Sequence, residues 1–133
     1  MENNYRKTKT TVSLINYHFV FCPRYRRKIF DISNVETRFK EIVKEICGEL
    51  EIEIIAIECD RDYTHIFLNC LSTLSPSDIM NKIKGVSSKL IREEFKELSK
   101  MPSLWTRSYF VSTAGNVSSE TIKKYVESQK TRY

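Results

Sequence analysis

The sequence has 133 residues, of which 41% are hydrophobic and 29% charged, with a formal net charge of +5 and a pI near 9.0. This length provides one hydrophobic core, so residues 1–133 are expected to form a single domain. No apolar run reaches the roughly 18 residues of a transmembrane helix, and the polar N-terminus lacks a signal peptide's apolar segment. We therefore expect a cytoplasmic protein without a membrane partner, whose positive charge favours a polyanion such as nucleic acid.

The N-terminal part of the chain predicts a polar arm, a strand and a basic turn. Residues 1–11 are polar and basic, which is typical of a loosely held arm. From Ser13 to Cys22, apolar residues alternate along one face of a predicted strand, and His18 lies on the other face. Pro23 ends this strand.

The next five residues form a basic run around one aromatic side chain. Arg24, Arg26, Arg27 and Lys28 can contact phosphates, and the ring of Tyr25 offers a stacking surface. This run is predicted to bind DNA, and a solvated loop is the alternative interpretation.

The middle of the chain predicts a helix followed by two strands. Ser33 and Glu36 fit a capping box at the start of a helix that ends near Gly48. Residues 51–59 and 64–71 then form the two strands of a hairpin.

The connection of this hairpin concentrates chemically active side chains. The positions from Glu58 to His65 contain three carboxylates, a phenol and an imidazole. Strand alternation places Tyr63 and His65 on one face, while Ile66 and Leu68 point into a core. Carboxylate oxygens with an imidazole nitrogen suit a hard or borderline divalent cation. A turn with solvated aspartates and a core histidine is the alternative.

The C-terminal part predicts a helix, a strand and a second helix. Ser75-Pro76 is a favoured start for a helix that reaches towards Phe95. Leu104 to Thr113 reads as a strand, and Gly115-Asn116 breaks it before a last helix that occupies about residues 116–130.

The predicted order is strand, helix, strand, strand, helix, strand, helix. The first six elements predict an α+β fold, a ferredoxin-like split βαβ sandwich with two helices on one face of an antiparallel sheet. The seventh is an appended C-terminal helix with little apolar surface, which makes it a candidate for packing on a partner subunit.

The last helix carries a candidate nucleophile. Tyr125 and Gln129, which is the only glutamine in the chain, are four residues apart and therefore adjacent on the helix surface. A phenol flanked by Lys123 and Lys124 could attack phosphorus. An amphipathic helix that buries Tyr125 in the core is the alternative.

Four segments in order resemble one family, the small single-tyrosine HUH transposases of the simplest insertion sequences (the IS-two-hundred-like group). The chain's segment 17–28 resembles the opening strand and basic turn of that family, and segment 58–68 resembles its metal segment. Segment 104–110 is similar to its last strand, and segment 121–129 to its nucleophile helix.

The resemblance implies a strand transferase that acts on single-stranded DNA with hairpin ends. By similarity, Tyr125 would form a 5′-phosphotyrosine and release a 3′-hydroxyl, with Mg²⁺ or Mn²⁺ neutralising charge at the phosphate. It also implies a homodimer in which the tyrosine helix of one subunit can serve the metal site of the other.

One position departs from the family's His–hydrophobic–His triplet, because its first histidine is replaced by Tyr63. A neutral phenol is a poor ligand for Mg²⁺ or Mn²⁺, since its ordinary pKa lies near 10. The metal ligands that the resemblance implies are then His65, Glu58 and Gln129. Their supporting residues would be Asp62, Tyr63 and His18.

Two alternatives to an active transposase follow from the sequence. One is a catalytically degenerate relative that binds DNA hairpins without cutting them. The other is a ferredoxin-like RNA-binding protein, although no glycine-aromatic motif of the RNP type is found.

Overall fold

A computed structural model describes residues 5–113 and 117–129 of the chain. The strands are β1 (Arg6–Lys7), β2 (Val12–Ser13), β3 (Ile15–Phe21), β4 (Glu53–Cys59), β5 (Thr64–Cys70) and β6 (Phe110–Ser112). The α-helices are α1 (Val35–Glu49), α2 (Pro76–Glu94) and α3 (Ser119–Ser128). Within these described ranges, no helix combines the length and apolar character that crossing a membrane requires.

The main sheet has four strands in the order β4-β5-β3-β6, and all neighbours are antiparallel. Helix α1 connects β3 to β4, and α2 connects β5 to β6. This is the split βαβ arrangement, so the predicted ferredoxin-like α+β sandwich with an appended C-terminal helix is confirmed.

The two faces of the sheet bury different partners because side chains alternate along β3. Phe19 and Phe21 point into the main core with α1 and α2, where the ring of Phe21 meets Trp105 at 4.8 Å between centroids. Val20 lies on the other face, where it packs with Val126 of α3. In the single chain, α3 therefore covers the sheet face opposite the other two helices.

Of the predicted starts of α1 and α2, the start of α2 is confirmed and that of α1 is wrong. Ser75 caps α2 through a reciprocal capping box with Asp78, as the Ser75-Pro76 pair predicts. At α1 the predicted Ser33 box is absent, because Asn34 is the N-cap in a left-handed conformation with φ of 72°. Glu36 then falls one position too early for a box, and it pairs with Lys40 at 2.8 Å.

The last strand is shorter than the predicted range from Leu104 to Thr113. The backbone before β6 keeps a short antiparallel bridge between Pro23 and Trp105, in which the Thr106 N–H donates to the Cys22 carbonyl at 3.0 Å. Between this bridge and β6, Lys84 Nζ donates to the carbonyls of Thr106 at 2.7 Å and Ser108 at 3.0 Å, and the strand is interrupted there. The predicted break at Gly115-Asn116 lies outside the described residues.

The N-terminal arm has more structure than its composition indicates. Strands β1 and β2 form a small antiparallel hairpin. Arg6 donates to the backbone carbonyls of Asn69 and Glu51, and it also reaches the Asn69 side chain at 3.1 Å. One arginine therefore attaches the arm to the end of the main sheet that lies away from residues 58–65.

Candidate functional site

The hairpin of β4 and β5 places Glu58 and His65 side by side. Four residues connect the two strands, and the backbone N–H of Asp60 donates to the Tyr63 carbonyl at 2.9 Å, so Arg61 and Asp62 form the tip of the turn. In this antiparallel register Glu58 lies directly opposite His65, and opposite residues share a face. The predicted alternation is confirmed, because Tyr63 and His65 line one cavity while Ile66 and Leu68 are buried in the core.

A cavity of about 490 Å³ lies between this hairpin and α3. Its lining includes Glu58, Cys59, Asp60, Tyr63 and His65 from the hairpin, and Ser119, Glu120, Ile122 and Lys123 from the helix. Three carboxylates against one lysine make this lining acidic. Such a lining suits a cation more than an unaccompanied phosphate.

The surroundings of His65 favour its neutral imidazole, which is the form that binds a metal. Burial lowers its pKa, the nearby His18 lowers it further, and the charge of Glu58 opposes these effects. Nδ1 of His18 lies 3.1 Å from Nε2 of His65, and the His18 ring stacks on Phe67 with 3.9 Å between centroids. His18 thus fixes the orientation of the His65 ring, as a supporting residue would.

The phenol of Tyr63 is also neutral at ordinary pH. Burial raises its pKa most, and the adjacent Asp60 raises it further through its charge and a hydrogen bond. Asp62 and Glu58 act in the same direction. A protonated phenol in this acidic lining is a weak metal ligand and a weak nucleophile.

Asp62 joins an ion pair with the basic run. Its Oδ2 atom accepts from Nε of Arg26 at 2.9 Å and lies 2.8 Å from Nη2. A residue expected to support a metal and a residue expected to bind DNA are therefore bound to each other. Sequence spacing gave no signal for this pair, since 36 residues separate the two side chains.

The remaining cations of the basic run differ in their surroundings. Arg24 Nη1 donates to Ser103 Oγ at 3.0 Å, and Arg27 Nη2 donates to the Glu97 carbonyl at 3.2 Å. Arg27 and Lys28 are exposed, whereas Arg24 and Arg26 are half-buried. The two exposed cations are therefore the better placed for phosphate contacts.

Ser108 brings Tyr125 and Gln129 together in an ordered hydrogen-bond chain. Ser128 Oγ donates to the Tyr125 carbonyl at 2.6 Å, so it accepts from Gln129 Nε2 at 3.0 Å. This turns Gln129 Oε1 towards Ser108 Oγ, which donates to it at 2.9 Å. Having used its only proton, Ser108 accepts from the Tyr125 hydroxyl at 2.9 Å. No pattern in the sequence singles out Ser108.

The expected metal ligands fit a divalent cation in their chemistry but only partly in their positions. Carboxylate, imidazole and amide donors are of the right kind for Mg²⁺ or Mn²⁺. Glu58 and His65 are neighbours at the cavity, but Gln129 is not among its lining residues. In the part of the chain that the structure describes, no three histidine, cysteine or acidic side chains form a metal-binding group. Two donors are thus positioned and the third is bound to Ser108.

Comparisons with known proteins agree on one family. A family model for IS200-like transposases matches residues 11–129. The transposase for insertion sequence element IS200 from Salmonella typhimurium is 31% identical over 116 residues, covering 85% of this chain and 75% of that protein. The ISDra2 transposase TnpA of Deinococcus radiodurans is 26% identical over 127 residues, covering 93% of this chain and 90% of that protein.

Solved structures show the same fold. A crystal structure of a protein assigned as a transposase from Deinococcus radiodurans R1 matches with a TM-score of 0.85 and 26% identity, covering 93% of this chain and 97% of that one. A REP-associated tyrosine transposase bound to a REP hairpin matches with a TM-score of 0.60 and 11% identity, covering 92% of this chain and 67% of that one.

Proposed function

Because the chain belongs to the IS200-like transposase family, we propose that it cleaves and rejoins single-stranded DNA at the hairpin-bearing ends of an insertion element. The observation that carries this proposal is the placement of α3. Its first turns border the cavity of Glu58 and His65, the following turn carries Tyr125, and Gln129 is its C-cap.

In the proposed reaction the Tyr125 hydroxyl oxygen attacks a backbone phosphorus. A bond forms between that oxygen and the 5′-phosphate, while the bond from phosphorus to the 3′-oxygen breaks. The phenol proton passes to solvent and the departing 3′-oxygen takes up a proton, so charge and atoms balance. Attack of another 3′-hydroxyl on the phosphotyrosine reverses these steps and rejoins DNA.

Glu58, His65 and Gln129 would hold a divalent cation, which would supply neutralisation of negative charge on the scissile phosphate. His18 keeps the His65 ring oriented for that role. The exposed Arg27 and Lys28 contact the DNA backbone outside the cavity.

The tyrosine must leave Ser108 before it can act at the cavity. Among the described residues of α3 only Val126 is buried, so the helix is held to its own sheet by a small cluster. A weakly held helix supports the proposal of a homodimer in which each α3 can serve the cavity of the partner subunit.

The direct test is formation of a covalent adduct. The protein is incubated with a single-stranded hairpin oligonucleotide and Mn²⁺, and the products are separated on a denaturing gel. We expect a protein–DNA adduct that Tyr125→Phe abolishes and that the exposed control Tyr5→Phe retains. Mixing Tyr125→Phe with His65→Ala chains should restore cleavage if the tyrosine acts in trans.

A second candidate is hairpin binding without cleavage. It is favoured by the neutral phenol of Tyr63 at the position where the family resemblance expects a histidine. Tight hairpin binding by the wild-type chain with no adduct at any Mn²⁺ concentration would select this candidate over the first.

A further inference from the structure

The turn after β3 contains two neighbouring residues in a strained backbone conformation. Tyr25 has φ of 61° and Arg26 has φ of 49°. Both values lie in the left-handed region, which costs free energy for any residue with a Cβ atom and is rarely adopted twice in succession. Neither position holds the glycine or asparagine that would relieve this cost.

Contacts on both sides of the turn maintain the strain. The backbone N–H of Arg24 donates to the Leu104 carbonyl at 2.8 Å. Arg26 is bound by Asp62 through two guanidinium nitrogens of one half-buried ion pair. The Phe30 N–H donates to the Arg61 carbonyl at 3.2 Å, so the whole segment is attached to the β4–β5 connection.

This conformation displays the Tyr25 ring at the surface. The residue is 58% exposed and belongs to neither hydrophobic cluster of the fold. The guanidinium carbon of Arg24 lies 5.8 Å from its ring centroid, and the exposed Arg27 and Lys28 follow in the chain. A strained backbone that is fixed by several contacts and presents an aromatic ring among cations indicates a binding role for that ring.

We propose that Tyr25 is a stacking platform for one unpaired nucleobase of the single-stranded DNA that enters the cavity. This inference rests on the proposed function. Its location follows from the ion pair, because Asp62 lies between Asp60 and Tyr63, which line the cavity. Aromatic stacking accepts any base, and the neighbouring cations contact the flanking phosphates.

The test compares two oligonucleotides and four variants by fluorescence anisotropy at fixed salt. One oligonucleotide is a hairpin with a single-stranded tail, and the other is the same hairpin with a blunt end. Tyr25→Leu removes the ring, Tyr25→Phe keeps it, and Tyr25→Gly removes the ring together with the backbone strain at position 25. Tyr5→Leu is the matched control, because Tyr5 is also 58% exposed.

We expect Tyr25→Leu to weaken binding of the tailed hairpin by roughly 5- to 150-fold, the range of one base–aromatic stack, and to leave the blunt hairpin unchanged. Tyr25→Phe and Tyr5→Leu should stay within about 2-fold of wild type. Tyr25→Gly should weaken binding like Tyr25→Leu while raising the midpoint of thermal unfolding. An abasic nucleotide at the stacked position should remove the difference between Tyr25→Leu and wild type.

Two results would overturn the stacking role of Tyr25, and a third would overturn the proposed function as well. Equal binding of the tailed hairpin by Tyr25→Leu and wild type excludes stacking, as does an equal loss on tailed and blunt hairpins. If the wild-type chain binds neither oligonucleotide, the proposed function fails together with this inference.

Discussion

We predict that the ion pair between Arg26 and Asp62 stabilises the fold. If Asp62 instead only supported a metal ion, its loss would not lower the free energy of unfolding. The perturbation is Asp62→Asn, which keeps the size of the side chain and removes its charge. The change leaves the Arg26 guanidinium without its charged partner, and the strained backbone at Tyr25 and Arg26 loses one of its restraints.

The magnitude follows from the burial of the pair. The Arg26 and Asp62 side chains are 19% and 15% exposed. Fully exposed pairs contribute up to about 1 kcal/mol, whereas breaking a buried pair costs roughly 3–5 kcal/mol. A nearly buried pair with two short N–H contacts to one oxygen should therefore contribute about 2 kcal/mol to the free energy of unfolding.

The assay is urea unfolding followed by the fluorescence of Trp105, the only tryptophan, which is buried. Asp62→Asn, Arg26→Gln and the double variant form a cycle with an expected coupling energy of about 1–2 kcal/mol. The matched control is Asp31→Asn, because the Arg61–Asp31 pair joins the same two segments at 3.4 Å with 64% and 44% exposure. That variant should change the free energy by less than about 0.5 kcal/mol.

A coupling energy near zero, or a control variant as costly as Asp62→Asn, would refute the structural role of the pair. Unchanged stability together with weaker Mn²⁺ binding by Asp62→Asn would instead favour a role at the metal.

Three further predictions address the cavity, α2 and α3. Tyr63→His should tighten Mn²⁺ binding by about 10-fold or more, because it adds a nitrogen donor, whereas Tyr63→Phe should leave the affinity unchanged. Calorimetry measures both affinities, and equal affinities of Tyr63→His and the wild type would contradict this prediction. Burial lowers the pKa of Lys84 to about 8, so the unfolded chain holds that proton up to a higher pH. Lys84 should therefore contribute about 1–2 kcal/mol more stability at pH 10.5 than at pH 8, after allowing for partial exposure, whereas the raised pKa values of the four cysteine thiols act in the opposite direction. The unfolding free energy of the wild type minus that of Lys84→Met, from the same urea titrations, should rise by that amount across this interval. Ser108→Ala should release Tyr125 and speed amide exchange in α3 by roughly 5- to 10-fold, and unchanged exchange would show that Ser108 does not hold the helix.

The sequence alone determined the features that depend on neighbours along the chain. Alternation placed Phe19 and His18 on opposite faces of β3, and it placed Tyr63 and His65 on one face of the hairpin. Ser75 and Pro76 marked the start of α2. Periodicity and capping act over a few residues, so they can be read without the tertiary structure. Together they were sufficient for the order of the seven main elements and for the fold, but not for the small β1–β2 hairpin of the N-terminal arm.

The tertiary structure alone decided which distant side chains meet. Ser108 contacts Tyr125 across 17 residues, Arg26 contacts Asp62 across 36, and Lys84 binds the carbonyls of Thr106 and Ser108 where the predicted last strand is interrupted. No local pattern encodes these contacts, because they depend on how the packed helices and the sheet are positioned in space. The same reason explains why only two of the three expected metal ligands lie together. The register of the hairpin places Glu58 opposite His65, whereas the packing of α3 places Gln129 against Ser108.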